Sequence, residues 1–258
     1  MRQTLESMNS TSISAIVFAC VFGAAMLGTY MPNVLPEHHL SDRSKDVIKL
    51  GMGLVATLSA LVLSLLISSA KNSFDAQSTE LTQSSAQVVM LDRILAHYGP
   101  ETQKAREVLR TAVANTLDRM WSKNRSTLTK LEPPSRGNEL LLDLIQALVP
   151  QDDTQRALKS QALSIAFAVG ETRWLQYAQM NNSVPAPILM VLVAWLATLF
   201  FSFGLFAPRN ATVIAGLFVA ALSVSGAVFL MVELYSPYGG LIEVSSAPLR
   251  AALSQLGN

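Results

Sequence analysis

One cysteine, Cys20, is present in 258 residues, so no internal disulfide framework and no cysteine-based zinc site can be built. Charge is scarce too. Asp, Glu, Lys and Arg make up 14% of the chain, against ~25% in soluble domains. The two signs nearly cancel, to +1, which removes the electrostatic footprint that nucleic acid requires. Histidine is limited to His38, His39 and His97, and the chain carries no glycine-rich phosphate loop, no GxSxG elbow, no HExxH and no DxD-type cluster. No catalytic residue, cofactor site or metal site is therefore expected, and an enzyme at the membrane surface is the weakest functional class. Glu37, His38 and His39 with Asp42 and Asp46 come nearest to a ligand cluster. Adjacent histidines chelate poorly from one regular element, so the segment reads as a solvated loop.

What the chain has in quantity is apolar sequence, 50% of all residues. It is concentrated in four runs without Asp, Glu, Lys or Arg, at 12–31, 50–70, 186–207 and 212–232. Each reaches the ~20 residues that cross a bilayer core as a helix. A signal peptide is the rival for the first run, but Arg2 is its only preceding basic residue and Glu6 offsets it. The run also exceeds the length of a usual export-signal core, so a retained span is expected.

The second run does not stop at the membrane boundary. No Pro or Gly interrupts 71–98, and Phe74, Leu81, Val88 and Leu95 recur at every seventh position, with Val88, Leu91, Leu95 and Tyr98 continuing a packing seam. Gly99-Pro100 ends it. The spacing predicts one long helix from 50 to 98. Further helices are expected at 101–121, 139–148 and from Asp152, Asp153 or Thr154 to about Met180, the last burying Leu163, Phe167, Gly170, Trp174 and Tyr177. No β-type alternation occurs in this insert.

The expected class is an all-α integral membrane protein: four transmembrane helices with a soluble helical insert between helices 2 and 3, helix 2 continuing into the insert. The expected organisation is a first transmembrane hairpin in 1–70, a soluble helical domain in 71–184, a second hairpin in 185–234 joined by the turn at Pro208–Asn210, and a tail in 235–258 with a short amphipathic helix. An even count of spans puts the insert and both termini on one side; the flanking basic residues are nearly balanced, and the cytoplasm is the side assigned.

Two stripes of small residues stand out. Gly53, Thr57, Ala60, Ser64 and Ser68 share one face of the second span, and Gly216, Ala220, Ser223 and Ala227 one face of the fourth. Small residues permit close helix packing in lipid; hydroxyls on such a face also suit a hydrated pathway. The first stripe is the pore-lining candidate and the second is expected to pack. Glu233 stands at a membrane boundary beside Tyr235 and is expected at headgroup level. No charged residue lies deep in any span, which fits a weakly discriminating channel better than ion-coupled transport.

The stretches GLVATLSALVLSLLISSAKNSFD, LDRILAHYGPE and GLFAPRNATVIAGLFVAALSVSGAVFLMVELYSPYGGLIEVSSAPLRAAL resemble bacterial membrane proteins carrying the bestrophin-like domain of unknown function. That resemblance implies a four-helix protein of the bacterial inner membrane that forms a homo-oligomer. It points towards bestrophins, which are pentameric anion channels. No acidic calcium cluster is present in the insert, so calcium gating does not carry over. The expected function is a homo-oligomeric channel conducting small ions along the second span, in contact with membrane lipid and not with nucleic acid. The alternative is a non-conducting membrane scaffold or sensor whose insert binds a protein or small ligand.

Overall fold

The computed structural model describes residues 9–31, 42–121, 136–180, 186–238 and 240–257. In chain order these form α1 (Ser10–Tyr30), α2 (Asp42–Tyr98), a 3-10 turn (Pro100–Thr102), α3 (Gln103–Met120), α4 (Arg136–Gln146), α5 (Asp153–Met180), α6 (Ala186–Phe206), α7 (Ala211–Leu234) and α8 (Ala247–Gln255). No strand occurs among the described residues. Among the described residues, four helices are long and apolar enough to cross a membrane: α1, α2, α6 and α7. The Glu37–His39 segment, Pro133, Pro134 and Pro185 lie outside the described residues.

The chain divides into two compact units. One comprises Met1–Ser73 with Ser183–Tyr235, the other Phe74–Asn182 with Ser236–Asn258. Helix α2 contributes its first part to one unit and its second part to the other.

In the first unit, α1 is the helix that α6 and α7 close upon; both approach it more closely than they approach each other. The α6–α7 turn therefore links two helices that share α1 as their main partner. Two glycines set the closest contact. A Cβ on Gly28 would stand 2.1 Å from the Phe201 carbonyl oxygen, and one on Gly204 would stand 2.1 Å from that of Ala25. Backbones can meet this way only where no side chain intervenes. Val17, Val21, Ala25, Leu192, Leu196, Ala221 and Val228 fill the core around them. Asn210 caps α7, accepting a hydrogen bond from the Val213 amide at 2.8 Å.

The second unit is a helical bundle. Leu91 and Leu95 of α2 pack with Ala105, Leu109 and Val113 of α3, Leu141 and Ile145 of α4, and Ala162, Ala166 and Val169 of α5. The α2 seam predicted through Val88, Leu91, Leu95 and Tyr98 is buried. At the helix end Gly99 takes φ 139°, a conformation open to glycine and strained for other residues. There the Gln155 side-chain amide donates to the Tyr98 carbonyl at 3.0 Å, and the Thr102 hydroxyl lies 2.5 Å from the Leu95 carbonyl oxygen. Asp152 is the residue that caps α5, accepting from the Gln155 amide at 2.6 Å.

The stripe predicted for α5 needs correction. Phe167 and Trp174 are each 55% exposed, whereas Ala162, Ala166 and Val169 are buried. The Tyr177 side chain lies outside the described set. The small residues let α5 lie close to its neighbours; the bulky ones, about 100° further round the helix, face outward.

The C-terminal tail is part of this bundle rather than separate from it. Leu249 and Leu256 enter the core, and the Trp121 indole N–H donates to the Val244 carbonyl at 3.0 Å. The Tyr238 ring meets Trp121 edge to face at 5.8 Å. Burial, and secondarily the charge of Glu80, push the Tyr238 phenol up to about 12. An unfolded phenol titrates near ~10, so the folded chain holds this proton more tightly. The associated stability is complete below pH ~10 and is lost as pH rises towards ~12. Wild-type melting temperature is expected to fall through that window more steeply than that of Tyr238→Phe, whose loss of an unbonded hydroxyl should cost little at neutral pH. Parallel alkaline profiles would exclude this account.

Candidate functional site

The membrane part of α2 is held by a narrow seam. Ser59, Leu66 and Ala70 are buried, and Val62, Leu63 and Ile67 pack partly against the same core. The polar members of this segment are made compatible with an apolar helix by local bonds. The Thr57 hydroxyl donates to the Gly53 carbonyl at 2.9 Å and Ser59 to Val55 at 2.7 Å. Such bonds to the preceding turn consume the donor and leave the oxygen lone pairs available.

Gly53, Thr57, Ala60, Ser64 and Ser68 lie together on the opposite side, all exposed in the protomer. A Cβ on Gly53 would meet nothing within 4 Å. Among the described residues the stripe is thus not a packing surface. Beside it run Leu54, Leu58, Leu61 and Leu65, also exposed. Only 11% of the apolar window of this helix is buried, against 39% for α6. More than half of the helix circumference is therefore available to water, lipid or another copy.

The α7 stripe does not carry the packing inside the protomer. Gly216, Ala220 and Ser223 are exposed and Ala227 is half-buried, while Leu217, Ala221, Ser225, Val228 and Val232 form the buried seam. Branched and small residues alternate there and interlock with α1, where the Ser14 hydroxyl donates to the Ser225 carbonyl at 3.3 Å. Glu233 belongs to this inward side and is 2% exposed. Its carboxylate is enclosed by protein. The Tyr235 hydroxyl reaches the Ser69 hydroxyl at 3.4 Å, linking the ends of α7 and of the α2 membrane segment.

Sequence reasoning missed Gly28, Gly204 and Ser59. The available signal was a glycine within an apolar run, which in a membrane helix marks close approach. Among the described residues no group of three His, Cys, Asp or Glu could hold a metal ion. His97 is exposed, and His38 and His39 lie outside the described residues.

The Bestrophin-like domain matches residues 19–249 of this chain. No curated protein matches it. A bacterial bestrophin homologue from Klebsiella pneumoniae is similar in fold, with a TM-score of 0.66 at 12% identity, covering 94% of this chain and 96% of the homologue. A single-residue variant of a bacterial bestrophin homologue from the same organism aligns with a TM-score of 0.63 at 15% identity, covering 94% and 97% of the two chains. At such identities the likeness is one of fold.

Proposed function

The chain belongs to the bestrophin-like family, and from that membership we propose that it forms a homo-oligomeric channel conducting small ions along α2. The observation that carries this reading is the uncovered face of α2. A membrane helix that buries so little within its own protomer needs other surroundings, and its two exposed strips suit two different ones. Leu54, Leu58, Leu61 and Leu65 suit a neighbouring copy or lipid. Thr57, Ser64 and Ser68, interleaved with Gly53 and Ala60, suit a hydrated axis, because their oxygens replace water around a passing ion and small side chains leave room. Bestrophins use five copies, and a pentamer is the assembly proposed here. The membrane is the bacterial inner membrane, with the insert and both termini in the cytoplasm. Opposite labelling of cysteines placed at the exposed positions Ser160 and Gln255, in a Cys20→Ser background, would overturn that arrangement.

Purified protein in liposomes is expected to pass small ions. Ser64→Leu should keep the oligomer while reducing flux by about tenfold or more, since an apolar constriction dewets. Thr57→Leu and Ser68→Leu should act in the same direction. Absence of wild-type flux across ions and voltages would refute conduction. Undiminished flux in all three variants, with the oligomer intact, would move the pathway off this face.

A further inference from the structure

We propose that the membrane unit holds an anionic phospholipid where α1 ends beside the α6–α7 turn, with Arg209 and Tyr30 at the headgroup and Leu27 along an acyl chain. The turn is short and fixed. The Asn210 amide donates to the Pro208 carbonyl at 3.0 Å, and the Asn210 side chain caps α7, so Arg209 between them has a settled backbone. Helix α1 crosses α6 at Gly28 and Gly204, which brings Tyr30 out beside that turn. The Arg209 guanidinium carbon stands 6.0 Å from the Tyr30 ring centroid, the reach over which an aromatic face attracts a cation.

Both side chains remain open to their surroundings: Tyr30 is 68% exposed, and Arg209 is exposed. A contact with the ring spends none of the guanidinium N–H groups, all of which are donors. Among the described residues no ion pair engages Arg209. The acid at this end of α2, Asp46, is exposed and has Lys49 one turn further on. A fixed cation with its donors unspent is thus left at the boundary shared by α1, α6 and α7.

Leu27 precedes Tyr30 by one turn on the same face of α1 and is 67% exposed. Cation, aromatic ring and apolar side chain therefore follow one another from the helix end towards the middle of the span. That order matches an amphiphile. Charge-assisted hydrogen bonds join guanidinium to phosphate oxygens, tyrosine suits the headgroup level, and leucine suits an acyl chain. Free phosphate would use only the cation, and an apolar partner helix only Leu27. A zwitterionic lipid brings its own cation next to the phosphate, which Arg209 repels. The net-anionic phosphatidylglycerol brings none.

The test uses the full chain in a neutral detergent, given equimolar phosphatidylglycerol and phosphatidylcholine of matched chains, with retained lipid counted by native mass spectrometry. Wild type is expected to retain phosphatidylglycerol in at least about tenfold excess, and Arg209→Gln to lose most of that excess with its charge-assisted partner. Tyr30→Leu, which keeps an apolar contact and removes the ring, should lower the excess by about threefold. Both positions are exposed, so melting temperatures should match wild type and show the loss to be local. Equal retention of the two lipids by wild type overturns the proposal, as does an excess undiminished in Arg209→Gln. Displacement of the retained lipid by inorganic phosphate at constant ionic strength would assign the cation to the free ion and overturn it. Disulfide-linked copies of Tyr30→Cys in a Cys20→Ser background would also overturn it, by showing that a second copy covers this end.

Discussion

Gly28→Val is expected to prevent assembly of the membrane unit, and Gly204→Val to do the same. At each position even the first added carbon would lie 2.1 Å from a backbone oxygen of the facing helix, with a backbone nitrogen 3.0 Å away. A flexible side chain could swing aside; a helix backbone cannot. Relief requires the helices to part, which undoes the packing of Val21, Ala25 and Leu192 around them. Overpacking typically costs about 1–3 kcal/mol, and more where backbone must move, so a loss above about 3 kcal/mol is expected. Gly53→Ala and Gly216→Ala are the controls, because nothing lies within 4 Å of their added carbons. Replacing an open helical glycine by alanine should leave folding intact or gain up to about 1 kcal/mol. Thermal unfolding in detergent separates the pairs. Tolerance of Gly28→Val with unchanged melting temperature would mean that α1 and α6 do not meet as described.

The second large effect is expected at Asp92→Ala. Asp92 is 3% exposed, pairs with Arg106 through both oxygens at 2.8 and 2.9 Å, and lies 3.4 Å from the Gly257 amide near the end of the tail. Removing the carboxylate takes away both hydrogen bonds that Asp92 accepts from Arg106, and hydrogen bonds to charged groups typically contribute about 1.5–3 kcal/mol each. The same loss should loosen the tail, since Leu249 and Leu256 share the core with Leu91 and Leu95. Protease cleavage near the C-terminus is therefore expected to accelerate in Asp92→Ala. Asp92→Leu combined with Arg106→Met should recover much of the stability, because apolar side chains of similar volume then replace both members of the pair. A single variant within about 1 kcal/mol of wild type would show that solvent already screens the pair.

Much of this architecture is legible in the order of residues. Uncharged runs of membrane length locate the four apolar helices, Pro208 parts α6 from α7, and Asp152 opens α5, all without reference to any neighbour. Gly99-Pro100 locates the end of α2. These signals are local: hydropathy measures transfer into lipid, and Gly or Pro acts on its own backbone. The candidate face of α2 was equally readable, since periodicity alone brings Gly53, Thr57, Ala60, Ser64 and Ser68 together.

Which face meets which neighbour was decided only by tertiary structure. Periodicity favoured Phe167 and Trp174 as the buried side of α5, because they are the most apolar residues at helical spacing. The fold buries Ala162, Ala166 and Val169 instead, since close approach rewards small volume and hydrophobicity scales do not measure volume. The same reason separates Gly28 and Gly204, pressed against backbone, from Gly53 and Gly216, which face open space. Glu233 and the tail illustrate the other limit. Their burial depends on residues far away in the chain, and a transfer cost assigned residue by residue contains no information about which distant surface will cover them.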